Sequence, residues 1–89
     1  MIVYVVEHRI QHLKTNTFEN VVMNVASSLE KAKKWCQNNL DVEDKVDDKP
    51  WWFAIFQEEV DSSELIPDTK MTIISWDGTE IVNQPVSGY

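Results

Sequence analysis

The sequence has little of the material from which disulfide frameworks, phosphate-binding loops and nucleic-acid surfaces are built. It contains one cysteine, Cys36, so no disulfide can form within the chain. Its only glycines are Gly78 and Gly88, which argues against a glycine-rich phosphate-binding loop. Eight basic residues stand against fifteen acidic ones, and the resulting net charge of −7 repels phosphate backbones. The composition therefore argues against a nucleic-acid partner and allows a basic protein partner.

Long hydrophobic runs are missing as well. The most apolar stretch, residues 1–6, meets Glu7, His8 and Arg9 at once. It is too short to span a membrane and has no basic leader before it. With a single unpaired cysteine, these features predict a cytoplasmic protein with no membrane partner.

What is present is the composition of one small globular domain. Apolar residues make up 43% of the 89 residues and aromatic residues 10%, with four tryptophans. This composition is typical of a folded chain and not of a disordered one. We predict a single domain over residues 1–82, followed by a loose tail over residues 83–89.

Alternation of apolar and polar residues predicts five strands, and one stretch has helical periodicity. The expected order is β-β-α-β-β-β, an α+β fold with a helix at about residues 28–40. Chain direction predicts an antiparallel sheet of four to five strands in the order 2-1-3-4-5, with the helix packed on one face. The predicted strands span residues 2–13, 18–25, 51–60, 70–76 and 79–82.

The helix has a recognisable start and an apolar stripe. Ser27 is the predicted N-cap, with Glu30 three residues later as the reciprocal partner of a capping box. Residues at helical spacing then form the stripe: Leu29, Ala32, Cys36 and Leu40. A hairpin turn is predicted at Asp77-Gly78, because both residue types tolerate the left-handed conformation.

Several strands are apolar on both faces, although one helix covers only one face of a sheet. We expect Val21, Met23 and Val25 to share one face of the second strand. The uncovered face of the sheet is predicted to expose Val3, Val5, Trp52, Phe56 and Ile74. Exposed patches of this kind usually mark an interface. Either loops cover the patch or a second copy packs on it as a symmetric dimer, and we favour the dimer.

The residues with reactive side chains predict no catalytic, cofactor or metal site. His8 and His12 share a strand face and lie about 13 Å apart by strand rise, too far for one metal ion. Cys36 lies in the apolar stripe of the helix, which predicts a buried and unreactive thiol. An acidic stretch lacks the glycine of a calcium-binding loop, so we interpret it as solvated: Asp41, Glu43, Asp44, Asp47 and Asp48.

Adjacent tryptophans open the third strand. Because neighbouring strand residues point to opposite faces, one of Trp51 and Trp52 should enter the core and the other should face outward. An outward tryptophan can anchor an interface. The alternative is that loops shield both indoles. The predicted interface combines such anchors with acidic residues: Trp52, Phe56, Asp44, Asp47, Glu58 and Glu59.

These observations support two hypotheses. The first is a non-enzymatic protein-interaction module that binds a partner, for which a basic surface is an option, or binds itself. The alternative is a small-molecule binding domain or minor enzyme with a cleft near His8 and Trp51 or Trp52. A deep pocket with convergent polar groups would distinguish the alternative from the first hypothesis.

Two segments together resemble a family of small, uncharacterised bacterial β-β-α-β domains. The run Val3-Tyr4-Val5-Val6-Glu7-His8, followed by Ser27-Ser28-Leu29-Glu30-Lys31-Ala32, is similar to that family, in which a "YVLEH" strand precedes an "S-x-E-x-A" helix and then an aromatic strand. The resemblance covers about two-thirds of the chain and implies the same fold, with no site residues to transfer. In size and acidity the chain is also similar to bacterial immunity proteins, which block a toxin through an acidic face.

Overall fold

The computed structural model describes residues 2–43, 46–59 and 71–83, which form a five-stranded antiparallel sheet with one helix packed against it. The strand order is β2-β1-β3-β4-β5, which confirms the predicted fold and topology. Predicted segments at 44–45, 60–70 and 84–89 lie outside the described residues. The elements are β1 (Ile2–His12), β2 (Thr17–Ala26), α1 (Leu29–Gln37), β3 (Trp51–Glu59), β4 (Met71–Ser75) and β5 (Glu80–Asn83).

The core lies between α1 and the face of the sheet that the helix covers. Ala32 and Cys36 of the helix are fully buried against this face, and the Trp35 ring meets Phe53 edge-on at 5.5 Å. The sheet contributes large apolar side chains from its three inner strands and one small residue from β2: Val6, Trp51, Phe53, Ile55, Ile74 and Ala26. The helix stripe predicted from the sequence is therefore the stripe that packs.

Two of the side chains expected on the uncovered face are not exposed. Ile74 is opposite Phe53 in the β3–β4 register, and directly opposite side chains point to the same face, so Ile74 lies in the core. Val5 does lie on the uncovered face, but it is only 6% exposed because Val25 and Phe56 flank it on the neighbouring strands.

A β-bulge in β2 changes which side chains share a face. Val6 is opposite Asn24 and Glu7 is opposite Val22, so Met23 is the extra residue between them. The bulge reverses the alternation, so that Val22 and Val25 come to the same face as Glu7 and Val5. The predicted grouping of Val21, Met23 and Val25 is therefore wrong for Val25, because simple alternation does not continue through a bulge.

The helix begins one residue later than the capping motif predicted. Ser28, in an extended conformation, is the N-cap, and its Oγ accepts a hydrogen bond of 3.2 Å from the Lys31 backbone N–H. Lys31 occupies the third helical position, so the predicted box between Ser27 and Glu30 does not form. The helix ends at Gln37 and not at residue 40, with Asn38 as its C-cap.

The last turn of α1 is held against the β4–β5 connection. Gln37 donates a hydrogen bond of 2.9 Å to the Gly78 carbonyl, and Lys33 forms an ion pair of 2.6 Å with Glu80. Gly78 has a positive φ of 89°, whereas Asp77 does not. Only Gly78 of the predicted Asp77-Gly78 pair is therefore left-handed. Residues 76–79 connect β4 to β5, so the connection is longer than the predicted two-residue turn. A Cβ at Gly78 would lie 3.0 Å from Oε1 of Gln37, the end of a flexible side chain that can move aside, so the positive φ is the reason that the turn needs glycine.

Candidate interaction surface

The open face is the face of the sheet that is turned away from α1. Strand register assigns its members, since directly opposite residues share a face. Val5 is opposite Phe56 and Val25, and Arg9 is opposite Trp52. The open face includes Val3, Val5, Glu7, Arg9, Gln11, Phe18, Asn20, Val22, Val25, Trp52, Ala54, Phe56, Glu58, Met71, Ile73, Ser75 and Ile81.

Exposed apolar surface on the open face is concentrated along β2. Phe18, Val22 and Val25 are 59%, 57% and 56% exposed. Nearer the centre of the sheet, Ala54 is fully buried, and Trp52 and Phe56 are partly buried. The residues that offer the most apolar area to a partner thus lie toward one edge, with two large aromatic side chains beside them.

An ion pair runs along β1 on the open face. Arg9 Nε donates to Glu7 Oε1 at 3.1 Å, and both side chains are largely buried, with exposures of 26% and 18%. The other end of the guanidinium, Nη1, lies 3.9 Å from the sulfur of Met71 on β4. Because β3 lies between β1 and β4, the Arg9 side chain extends across β3. A planar cation held in this way can both stack on a partner and donate hydrogen bonds to it.

The structure brings together only part of the interface predicted from the sequence. Trp52, Phe56 and Glu58 alternate along β3 and share the open face, whereas Glu59 points to the other side of the sheet. Asp47 is exposed in the loop before β3, at the opposite end of the strand from Glu58. Residues 51 and 58 alone are separated by about 23 Å of strand rise. Asp44 lies outside the described residues.

Sequence reasoning missed the contributions of β2 and of Arg9. Phe18 could have been found, because the predicted strand order already placed β2 at the edge of the sheet. Val22 and Val25 could not be assigned to one face without knowledge of the bulge at Met23. The position of Arg9 depends on its tertiary contact with Met71, for which the sequence carries no local signal.

His8 lies on the core face of β1, next to two aromatic rings. It is 6% exposed, and its ring centroid lies 5.1 Å from that of Trp51 and 5.6 Å from that of Phe53. Burial lowers the pKa of His8 below its ordinary value, and the negative charges of Glu43 and Glu19 oppose that shift. Neither His8 Nε2 nor Trp51 Nε1 has a hydrogen-bond partner in the described part of the chain.

The second histidine has a different environment. His12 lies near the surface, and its Nε2 is 3.0 Å from Glu19 Oε2. Within residues 2–43, 46–59 and 71–83, no group of three or more His, Cys, Asp or Glu side chains is arranged to hold a metal ion. His8 is thus a core side chain, and His12, on the same strand, lies near the surface.

Two small depressions lie beside Trp51, where the alternative hypothesis places a cleft, and beside His12. One of about 210 Å³ is lined by Trp51, Trp76 and the loop before β3, and another of about 220 Å³ is lined by Ile10, His12 and Glu43 among others. Pockets for small organic ligands usually have volumes of about 300–1,000 Å³. A wider and shallower groove of about 560 Å³ runs between α1 and the end of β2, beside Lys31 and Trp35, away from His8.

The single cysteine is part of the core, as the helical spacing predicted. Cys36 is fully buried, and burial raises the pKa of its thiol to about 12. The Cys36 thiol is therefore protonated near neutral pH and inaccessible to solvent. Because the thiolate is the nucleophilic form of cysteine, this side chain is not a reactive nucleophile.

Comparisons of this chain with protein-family models, with curated proteins and with solved structures find no match. The resemblance to small bacterial β-β-α-β domains therefore stays a prediction. None of the helical residues described by the structure belongs to a helix long and apolar enough to cross a membrane.

Proposed function

We propose that this protein is a non-enzymatic interaction module of a cytoplasmic type, which binds a protein partner through the open face of its sheet. One observation carries the proposal: Trp52, Phe56, Met71 and Arg9 lie together on a sheet face that α1 does not cover. Aromatic residues, methionine and arginine are the residue types enriched in the cores of protein–protein interfaces.

The charge of the chain favours a partner with a basic surface. The net charge is −7, and Glu58 adds a carboxylate at the end of the open face where β3 finishes. Opposite charges on two proteins accelerate their encounter, and this acceleration falls as salt is added. We therefore expect binding to weaken when the salt concentration is raised from 50 to about 500 mM, a range over which screening becomes strong.

The proposal is tested with a variant that alters the open face and leaves the core intact. Trp52→Ser combined with Phe56→Ser removes the two aromatic anchors. Val42→Ser is the matched control, because Val42 is 38% exposed in the loop after α1 and is not on the open face. Circular dichroism and thermal unfolding establish that each variant is folded before binding is compared.

The measurement is affinity capture from native lysate with the tagged wild-type protein and both variants, followed by mass spectrometry. We expect a protein that is retained by the wild type and by Val42→Ser and is lost from the double variant. Anchor residues of this kind contribute about 2 kcal/mol or more each, which corresponds to a loss of binding of about 30-fold or more for each residue removed. Capture of the same proteins by all three forms, or of none by the wild type, would contradict the proposal.

A further inference from the structure

The outer edge of β2 differs from the open face in what it can bind. β2 has ten residues and pairs only with β1, so no strand in the described part of the chain pairs with its outer edge. Such an edge presents a row of backbone N–H and C=O groups that can pair with another strand. Proteins usually protect long edges with lysine, proline or a very short strand.

β2 has almost none of this protection. Glu19 is its one charged residue, and the strand contains neither lysine nor proline. Phe18, Val21, Val22 and Val25 are each more than half exposed, so apolar side chains project from both sides of the edge. The bulge at Met23 is the one protective feature, and it lies toward the end of the strand.

We propose that β2 is a self-association edge, at which two copies of this chain pair antiparallel and form one continuous sheet. A second copy is the occupant because an antiparallel strand pair has two-fold symmetry, so each copy supplies to the other the same donors and acceptors that it needs. The net charge of −7 opposes self-association over most of the surface, but this strand contributes only one of the negative charges.

Faces and charges select the register of the pair. A two-fold axis at Asn20 places Phe18 opposite Val22 and Glu19 opposite Val21, so that an aromatic side chain meets a β-branched one. An axis at Glu19 would place two carboxylates directly opposite each other, which is destabilising. Axes further along the strand would bring the Met23 bulge toward the centre of the pairing.

This arrangement has a geometric consequence for the open face. The two-fold axis of an antiparallel strand pair, in a register of this kind, is perpendicular to the sheet. The open faces of both copies therefore lie on the same side, and both α1 helices lie on the other side. The dimer would present one apolar surface of twice the width, with Phe18 and Val22 of both copies along its centre.

A cysteine cross-linking experiment tests the register. Because Cys36 is fully buried, a thiol introduced into β2 is the only accessible one. Asn20→Cys places two thiols opposite each other at the axis, with Cβ atoms about 5 Å apart, close enough for a disulfide after small movements. Val22→Cys is the matched control on the same strand and face, since its partner across the axis would be Phe18.

With a mild oxidant such as oxidised glutathione, we expect the Asn20→Cys protein to form disulfide dimers at least tenfold faster than the Val22→Cys protein. Equal rates for the two variants, or a faster rate for Val22→Cys, would overturn the proposed register. The measurement is the time course of dimer formation on a non-reducing gel at a protein concentration of about 100 μM.

Sedimentation equilibrium tests the edge itself. A pairing of a few residues per copy lies at the small end of protein interfaces, so we expect association at tens to hundreds of micromolar. The mass of the wild type should rise from 10.4 kDa toward twice that value as concentration increases. Val21→Glu places a carboxylate opposite Glu19 of the second copy without altering the open face and should remain monomeric, whereas Val42→Glu, away from the edge, should associate like the wild type.

The outcomes separate this proposal from the proposed function. A wild type that stays monomeric at several hundred micromolar would overturn edge pairing and leave partner capture through the open face unaffected. A dimer that survives Val21→Glu and is lost with Trp52→Ser and Phe56→Ser would also overturn edge pairing, because the copies would then pack through their open faces. Loss of the dimer with Val21→Glu alone supports the edge.

Discussion

At the scale of single residues, protonation of His8 makes the free energy of unfolding depend on pH. Its pKa in the folded protein is lowered by burial, while in the unfolded chain it is expected near 6.5. Between these two values the unfolded chain binds more protons than the folded one, so the free energy of unfolding falls as pH falls. The stabilising contribution of neutral His8 is complete above about pH 6.5 and is lost as pH decreases toward the lowered pKa.

The prediction is checked by urea denaturation between pH 7.5 and pH 5. We expect the wild type to lose stability across this range and His8→Phe to show a flatter dependence. His12→Gln is the control, because His12 lies near the surface beside Glu19. A profile for His8→Phe that is as steep as that of the wild type would show that other groups cause the acid sensitivity.

At the scale of elements, the start of α1 distinguishes two adjacent serines. Ser28→Ala removes the oxygen that accepts the Lys31 backbone N–H and should lower the free energy of unfolding by about 1 kcal/mol. Ser27→Ala is the matched control and should change it by less than about 0.5 kcal/mol, because the Ser27 hydroxyl only meets the exposed Lys31 ammonium at 3.3 Å. Chemical denaturation followed by circular dichroism measures both values, and a larger effect at Ser27 would restore the capping box expected from the sequence.

Elements also show where local patterns stop being informative. The five strands and the helix were predictable because alternation and helical spacing persist over many residues. The exact N-cap was not, because Ser27 and Ser28 both carry the hydroxyl that caps helices and only the backbone path selects between them. The same limit applies to β2, where one extra residue at Met23 reverses the alternation for all that follows.

At the scale of the whole molecule, the two faces of the sheet differ in burial, and the adjacent residues Trp51 and Trp52 show this difference. Trp51 is 1% exposed in the core, whereas Trp52 is partly buried on the open face. The prediction that one indole enters the core and the other faces outward is thus confirmed. Trp51→Phe leaves space in the core and should lower the free energy of unfolding by about 1–3 kcal/mol.

Trp52→Phe should lower it by less than about 1 kcal/mol, because the surroundings of Trp52 on the open face are not closed by the helix. Urea denaturation of both variants under the same conditions provides the comparison. A cost at Trp52 equal to that at Trp51 would mean that the open face is packed as tightly as the core, and the proposed interaction surface would lose its support.

The existence of the open face could be predicted from the sequence, but the residues that line it could not. A helix of nine residues can cover only one face of five strands, so the existence of an uncovered apolar face followed from element count. Which side chains line it depended on strand register, and register placed Ile74 in the core beside Phe53. Asp47 and Glu58, which were predicted to lie in one interface, are separated because Asp47 precedes the start of β3 and Glu58 lies near its end.

The sequence by itself determined the elements, their order and the burial of Cys36, because these depend on local periodicity and on chain direction. Only the tertiary structure decided the bulge at Met23, the enclosure of His8 and the path of Arg9 toward Met71. These features depend on contacts between residues far apart in the chain. Their energies come from the packing of whole strands, which no short stretch of sequence specifies alone.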